Sequence, residues 1–190
     1  DKQIEVEFPN KNGVLEKFLV QEFSNFEPAL QAQFPDIRAY SGTGLTDKTA
    51  SLHFSFSPRG IQTMILRSDS ETEFIERYSS SQSIYIVFDA KNNNKGALHC
   101  STKEEETLSK QLLNKATSVN ANSSVYKTLR LALACTSEYT AYFGGVSKAL
   151  EAMNATMTRV NGIFNRDLAI HLNLVSNNLN LIYNDASTDP

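Results

Sequence analysis

The stretch that decides the fold spans residues 129–175, where the hydrophobic rhythm of the chain changes twice. It opens with Leu129-Arg-Leu-Ala-Leu-Ala-Cys135, in which alternate residues can face a core while the alanines accept a covering helix. After Gly144 and Gly145, apolar residues spaced by four and three form one helical stripe: Val146, Leu150, Met153, Met157, Val160 and Phe164. Alternation returns in Leu168-Ala-Ile-His-Leu-Asn-Leu-Val175. The pattern predicts two parallel strands joined by a right-handed helical crossover.

Such a unit cannot cover its own apolar surfaces. Two parallel strands and one helix leave an exposed sheet edge and an uncovered face, and the opposite helix face carries Lys148, Glu151, Asn154 and Arg159. The tail Asn-Asp-Ala-Ser-Thr-Asp-Pro after residue 183 is loop-like. We therefore expect residues 128–190 to begin a mixed sheet that other polypeptide completes, either in a continuation of this chain or in a companion chain.

Composition indicates a globular protein, with 41% hydrophobic and 21% charged residues. The formal net charge is −3 and the lysines and arginines form no basic stripe, which argues against nucleic acid as a partner. No apolar run is long enough to cross a bilayer, so we expect no membrane partner.

The sequence pattern of residues 1–90 is typical of a separate antiparallel module. A capping-box spacing between Ser24 and Glu27, with Pro28 next and Pro35 further on, predicts a short helix. Alternating apolar residues predict strands, interrupted by turns such as Ser57-Pro-Arg-Gly60, within residues 4–8, 18–20, 52–56, 61–66, 74–78 and 84–88. The predicted fold class is therefore α+β: an antiparallel sheet with a short helix, then the β-α-β unit.

Residues 91–127 change in character to Asn, Lys, Glu, Ser and Thr, and we interpret them as a linker accessible to proteases. Within it, the run Glu104-Glu-Glu106 is better explained as an exposed helix start than as an acidic binding site. His99 and Cys100 also lie there.

The segment from Leu129-Arg-Leu-Ala-Leu-Ala-Cys135 through Arg159-Val-Asn-Gly-Ile-Phe-Asn-Arg-Asp167 resembles the start of a bacterial reprolysin-type zinc metalloprotease, a metzincin related to the adamalysins. The similarity covers about the last third of the chain. The first module resembles the pro-region of that family more loosely, at Pro35-Asp-Ile-Arg-Ala-Tyr-Ser-Gly42 and Ser57-Pro-Arg-Gly-Ile-Gln62.

The resemblance implies zinc chemistry that this chain does not itself carry. In the family, an HExxHxxGxxH helix holds the metal and its glutamate acts as general base on the bound water. No such motif occurs here, and His53, His99 and His171 lie far apart in the sequence. We therefore expect the chain alone not to hydrolyse peptides and to supply scaffold and latency, with a packing role for Leu131, Leu133, Met153, Met157 and Val160.

The resemblance makes Cys100 the candidate inhibitory zinc ligand, since related pro-regions place a cysteine shortly before the mature domain. A thiolate is a strong zinc ligand that displaces the catalytic water. The alternatives are an inert surface thiol or a disulfide with Cys135, which would exclude the zinc role. Without that bond, the pattern favours Cys135 as a small core residue.

Glu138 follows the first strand, at the end of a parallel sheet where sites tend to form. It is a candidate ligand for a cation such as calcium, or a structural hydrogen-bond acceptor. The alternative is a carboxylate that binds only local backbone or solvent. His171 is interpreted as a partly buried structural residue, and His53 and His99 as solvated.

Taken together, the sequence predicts a pro-region module in residues 1–90, a linker with a cysteine switch in 91–127, and the β-α-β start of a catalytic domain in 128–190. The chain would be part of a secreted bacterial zinc endopeptidase zymogen, with the remainder of the protease domain and its peptide substrates as partners. The alternative is a non-catalytic secreted module that binds a protein through an open sheet edge.

Overall fold

The computed structural model describes residues 2–79, 83–92 and 125–189. A seven-stranded antiparallel sheet precedes a two-stranded parallel sheet, so the α+β class predicted from the sequence is confirmed. The first sheet is a meander in chain order: β1 Gln3–Pro9, β2 Leu15–Glu22, β3 Arg38–Gly44, β4 Ser51–Ser57, β5 Gly60–Leu66, β6 Glu73–Arg77 and β7 Tyr85–Asp89.

The predicted strands of this sheet are confirmed, but no sequence pattern predicted β3, the strand between β2 and β4. Its sequence, Arg38-Ala-Tyr-Ser-Gly-Thr-Gly44, lacks an alternating apolar pattern. A side chain at Gly42 would place its Cβ against the backbone of Leu19 in β2, so close strand packing requires glycine there. One sheet face is curled around an apolar core of Phe18, Val20, Ala50, Leu52, Phe54 and Ile65.

Helix α1, Pro28–Gln33, confirms the predicted short helix, while the predicted capping box is wrong. Glu27, and not Ser24, occupies the N-cap position, and it makes no side-chain capping bond. The Ser24 hydroxyl accepts the backbone N–H of Phe26 at 3.0 Å instead. The Glu27 carboxylate points toward the second half of the chain, because it binds Arg130 and Ser176 there.

The second half contains β8 Lys127–Leu131, α2 Ser137–Phe143, α3 Val146–Leu168 and β9 Ile170–Leu174. Strands β8 and β9 are parallel, as predicted. The first strand ends at Leu131 and not at Cys135, because the side chain of Asn178 replaces a neighbouring strand beyond that point. The Asn178 side chain accepts the N–H of Leu133 at 2.9 Å and donates to the carbonyl of Leu133 at 3.0 Å. Helix α2 was not predicted from the sequence.

The second strand also begins later than predicted. Leu168 belongs to α3, and Ala169 ends the helix in the left-handed conformation, with φ of 54°. The apolar helix stripe packs as predicted in a core with Phe26, Leu30, Ile37, Leu174 and Ile182. Met153 and Met157 are buried in that core, and Leu131, Leu133 and Val160 are partly buried against it.

Helix α3 is packed on two sides by this chain. This corrects the expectation that polypeptide outside the chain is needed to cover the β-α-β unit. Its second face lies on β3, β4 and β5 of the antiparallel sheet. Glu151 and Asn154, placed by the sequence on the opposite helix face, are therefore buried. The outer edge of β9 is also occupied, since Phe26 forms a parallel bridge with Leu174. Among the described residues, no helix is long and apolar enough to cross a membrane.

Candidate functional site

Cys100, the predicted cysteine switch, and His99 lie outside the described residues. Glu138 lies in the first turn of α2 and is exposed to solvent. Within residues 2–79, 83–92 and 125–189, no group of three or more His, Cys, Asp or Glu side chains could hold a metal ion. The donor set of the described part of the chain therefore does not fit a zinc site, and the calcium site at Glu138 stays a prediction.

Cys135 carries a free, partly buried thiol. Its sulfur lies 3.6 Å from the Thr140 hydroxyl, and it packs at the margin of the core around α3. It also borders an apolar cleft of about 380 Å³ that includes Leu133, Tyr139 and Met153. This position agrees with the interpretation as a small core residue.

The structure brings together the first half of the chain, residues 2–79 and 83–92, and the second half, residues 125–189. We call the surface between them the docking face; it is formed by residues 24–27 and strands β3 to β6 on one side and by α3 and β9 on the other. At its centre is an asparagine cluster, defined here as Asn25, Asn154, Thr158 and Asn161, each at most 5% exposed. The Asn25 amide nitrogen lies 2.9 Å from Asn154 Oδ1 and 2.8 Å from Thr158 Oγ1. Asn154 in turn donates to the carbonyl of Arg38 in β3 at 3.0 Å. Because buried amides are costly without partners, this cluster favours one specific arrangement of the two halves.

Asn161 extends the cluster to β9. Its amide nitrogen donates to Asn25 Oδ1 at 2.8 Å and to the Leu172 carbonyl at 2.9 Å. Its Oδ1 accepts the Leu172 N–H at 2.8 Å. One side chain on α3 thus holds both the backbone of β9 and a residue of the first half.

The edge of β9 is completed by backbone pairing with the segment before α1. The N–H of Leu174 donates to the Asn25 carbonyl at 2.7 Å, and the Glu27 N–H donates to the Leu174 carbonyl at 3.0 Å. The exposed edge predicted from the sequence is therefore capped here by the chain's own first half, a form of strand addition.

Glu27 reinforces this edge through its carboxylate. Arg130 Nε on β8 donates to Oε1, and the Ser176 N–H and hydroxyl donate to Oε2 at 2.8 and 2.7 Å. The hydrogen bond from Arg130, followed by those from Ser176, lowers the pKa of Glu27 to about 2. The carboxylate is consequently ionised at neutral pH and binds two elements of the second half.

A further set of polar contacts lies where the first-half sheet meets α3. Arg159 Nη2 contacts Glu76 Oε1 at 2.6 Å, and its guanidinium stacks over the Phe74 ring at 5.1 Å. In the turn between β4 and β5, the Arg59 N–H donates to Glu151 Oε2 at 3.2 Å. The carboxylates of Glu76 and Glu151 therefore each bind a group on the other side of the docking face.

Two histidines are buried at this face. His53, expected to be solvated, is only 7% exposed, since its ring lies against Gly162 of α3. Burial, followed by repulsion from Arg166, lowers the pKa of His53 to about 4. His171 is 3% exposed, as a structural residue should be, and its Nε2 donates to the Ser24 carbonyl at 2.9 Å. Burial also lowers the pKa of His171.

Sequence reasoning missed the asparagine cluster, although a signal was present. Asn154, Thr158 and Asn161 are spaced by four and three, so they share one face of the helix. A polar stripe at that spacing is normally solvated, and only its burial distinguishes it from an ordinary exposed face.

Comparison with known proteins bears on the second half of the chain. No curated protein and no solved structure matches the chain. Residues 125–190 match the family model described as metallo-peptidase family M12B, reprolysin-like. The match covers the β-α-β unit and its tail, about a third of the chain, and supports a protease-related role for this segment.

Proposed function

We propose that this chain combines a pro-region, residues 1–90, with the first β-α-β unit of a secreted bacterial zinc metalloendopeptidase zymogen. The observation that carries the proposal is the docking of the first half onto the segment that matches the reprolysin-like family. Residues 25–27 complete the edge of β9, and β3 to β5 cover α3. Such a module assists folding of the protease segment, since it buries groups that the segment alone would leave in water.

We expect the catalytic zinc of the parent protease to be held by ligands outside this chain, because the M12B family is metal-dependent and this chain lacks the HExxHxxGxxH motif. Bound zinc would activate water for peptide hydrolysis. We assign latency to the linker, with Cys100 as the ligand that would close the open coordination position.

The first test uses the chain as it is. Purified and supplied with zinc, it should fold and show no cleavage of casein or of a quenched fluorescent peptide library. Peptide hydrolysis by the isolated chain would contradict the assignment of the catalytic groups to polypeptide outside it.

The second test addresses latency in the gene product that carries the catalytic motif. Cys100→Ser should raise the peptidase activity of the uncleaved protein, because the hydroxyl is a poor zinc ligand. Cys135→Ser makes the same chemical change at the other thiol and should leave latency intact. Equal latency in all three proteins would remove the switch role of Cys100.

A second candidate function is a non-catalytic binding module, favoured by the surface of β8. In the described part of the chain β8 has one strand neighbour, β9, and Tyr126 and Leu129 are 48% and 45% exposed. A partner protein could add a strand to this edge. The mass of the native gene product discriminates, because the protease proposal requires substantial further polypeptide with a zinc motif and the module does not.

A further inference from the structure

A second feature of the docking face is a cleft of about 580 Å³ between the two halves. The first half contributes the β4–β5 turn and strands β5 and β6, and the second half contributes the end of α2 and the first turn of α3. The residues that line it are Arg59, Gln62, Glu76, Arg77, Tyr142, Phe143 and Lys148.

The cleft has an excess of positive charge in a protein whose formal net charge is −3. Three cationic side chains face one carboxylate, that of Glu76, which already contacts Arg159 at 2.6 Å. Among the described residues, no carboxylate lies within ion-pair distance of the Arg59 guanidinium or the Lys148 ammonium. Their charges therefore remain available to an incoming anion.

Arg59 is held in place before any ligand arrives. Its N–H donates to Glu151 Oε2 and to the Ser57 hydroxyl, both at 3.2 Å, and its carbonyl accepts from Arg77 Nη1 at 3.3 Å. Its guanidinium lies over the Phe143 ring, 4.5 Å from the centroid. A fixed, stacked guanidinium is preorganised for carboxylate recognition, since little side-chain freedom remains to be lost.

The remaining wall suits a peptide better than a small ion. Tyr142 is 83% exposed and packs edge-on against Phe143 at 4.9 Å, which leaves aromatic surface beside the cations. Gln62 adds an amide. An inorganic oxyanion would fill little of this volume, whereas a peptide can place its carboxylates on the cations and its apolar stems on the rings.

We propose that this cleft binds an acidic peptide segment, with Arg59 and Lys148 as the carboxylate-binding residues. Both halves of the chain form the walls, so the ligand binds the docked state and stabilises it. This proposal does not depend on the proposed protease role, and a separate binding experiment tests it.

The test measures binding of a short blocked peptide with adjacent glutamates to the full chain, by calorimetry at low ionic strength. We expect saturable binding that weakens with salt and is absent for the same peptide with glutamines. Arg59→Met should weaken binding about tenfold and Lys148→Met about threefold, because charge-assisted bonds at a half-buried site exceed those at an exposed one.

Lys48→Met is the matched control, since Lys48 is exposed in the β3–β4 turn, at the opposite end of β4 from the cleft. It should bind the glutamate peptide as the unaltered chain does. Far-ultraviolet circular dichroism checks that Arg59→Met folds, and Lys148→Met, an exposed change, keeps the test valid if it does not. Absence of binding, equal binding of the glutamine peptide, an unchanged affinity in Lys148→Met, or full displacement by equimolar inorganic phosphate would overturn the proposal.

Discussion

At the scale of single residues, His53 links the docking face to pH. Its imidazole is buried against α3, and burial lowers its pKa from 6.5 to about 4. Between these values the unfolded chain binds the proton and the folded chain does not, so stability is full above pH 6.5 and falls as the pH drops toward 4. This pKa difference corresponds to about 3 kcal/mol in the free energy of unfolding.

The measurement is urea denaturation between pH 7 and pH 4, followed by tyrosine fluorescence. His53→Gln should flatten part of the pH dependence because the titrating group is gone, while His171 continues to contribute in the same direction. An unchanged pH profile in His53→Gln would show that this ring is not the group being protonated.

Arg67 is a second residue whose partners define its role. It is buried at one end of the antiparallel sheet and contacts Glu16 at 2.6 Å, Glu73 at 2.8 Å and Asp47 at 3.0 Å. Arg67→Met should lower the free energy of unfolding by about 3–5 kcal/mol, since it leaves the buried carboxylate of Glu73 and the partly buried ones of Glu16 and Asp47 without this cation. The control, Lys17→Met, breaks an exposed pair with Glu5 and should leave the urea midpoint nearly unchanged, because water and salt screen this pair. Equal effects would contradict this explanation.

At the scale of elements, the fit of α3 onto the sheet depends on small residues. A Cβ at Gly162 would lie 2.6 Å from Met64 Cε and 2.9 Å from the His53 ring. Gly162→Ala should therefore destabilise the protein by about 1–3 kcal/mol through overpacking, although alanine favours helix. Ser147→Ala, on the exposed side of α3, should shift the thermal midpoint little. A higher midpoint in Gly162→Ala would show that the contact relaxes freely.

The same elements show how far the sequence could predict this structure. The spacing of Val146, Leu150 and Met153 predicted α3 because each residue meets a core through its own position on the helix. The alternation of Leu52 and Phe54 with His53 and Ser55 predicted β4, but its polar face was expected to meet water. That face is buried because small and polar residues let α3 approach, a tertiary fit that alternation does not encode.

The candidate site was less predictable than the elements that carry it. Asn25 and Asn161 lie 136 positions apart and are joined only by the docking of the two halves. Glu27 resembled a capping residue because its spacing from Ser24 fits a capping box, yet its carboxylate binds Arg130. Local patterns cannot identify partners brought together by tertiary structure.

At the scale of the whole molecule, the docking face should hold the two halves together without a covalent connection. We expect a chain with a specific protease site inserted within residues 93–124, once cut, to elute as one complex in size-exclusion chromatography. Backbone pairing at Leu174, the Glu27 carboxylate and the asparagine cluster all lie on the docking face and are untouched by the cut.

Asn25→Ala should make the cut fragments separate at lower urea concentration, because it removes the partner of Asn154 Oδ1 and one of the two acceptors of the buried Asn161 amide nitrogen. Asn12→Ala, an exposed change in the β1–β2 turn, should leave their association unaltered. If the cut chain instead separates into two species without denaturant, the contacts across the docking face are too weak to hold the two halves together after cleavage. In that case the covalent connection through residues 93–124, and not the docking face, would keep the two halves together.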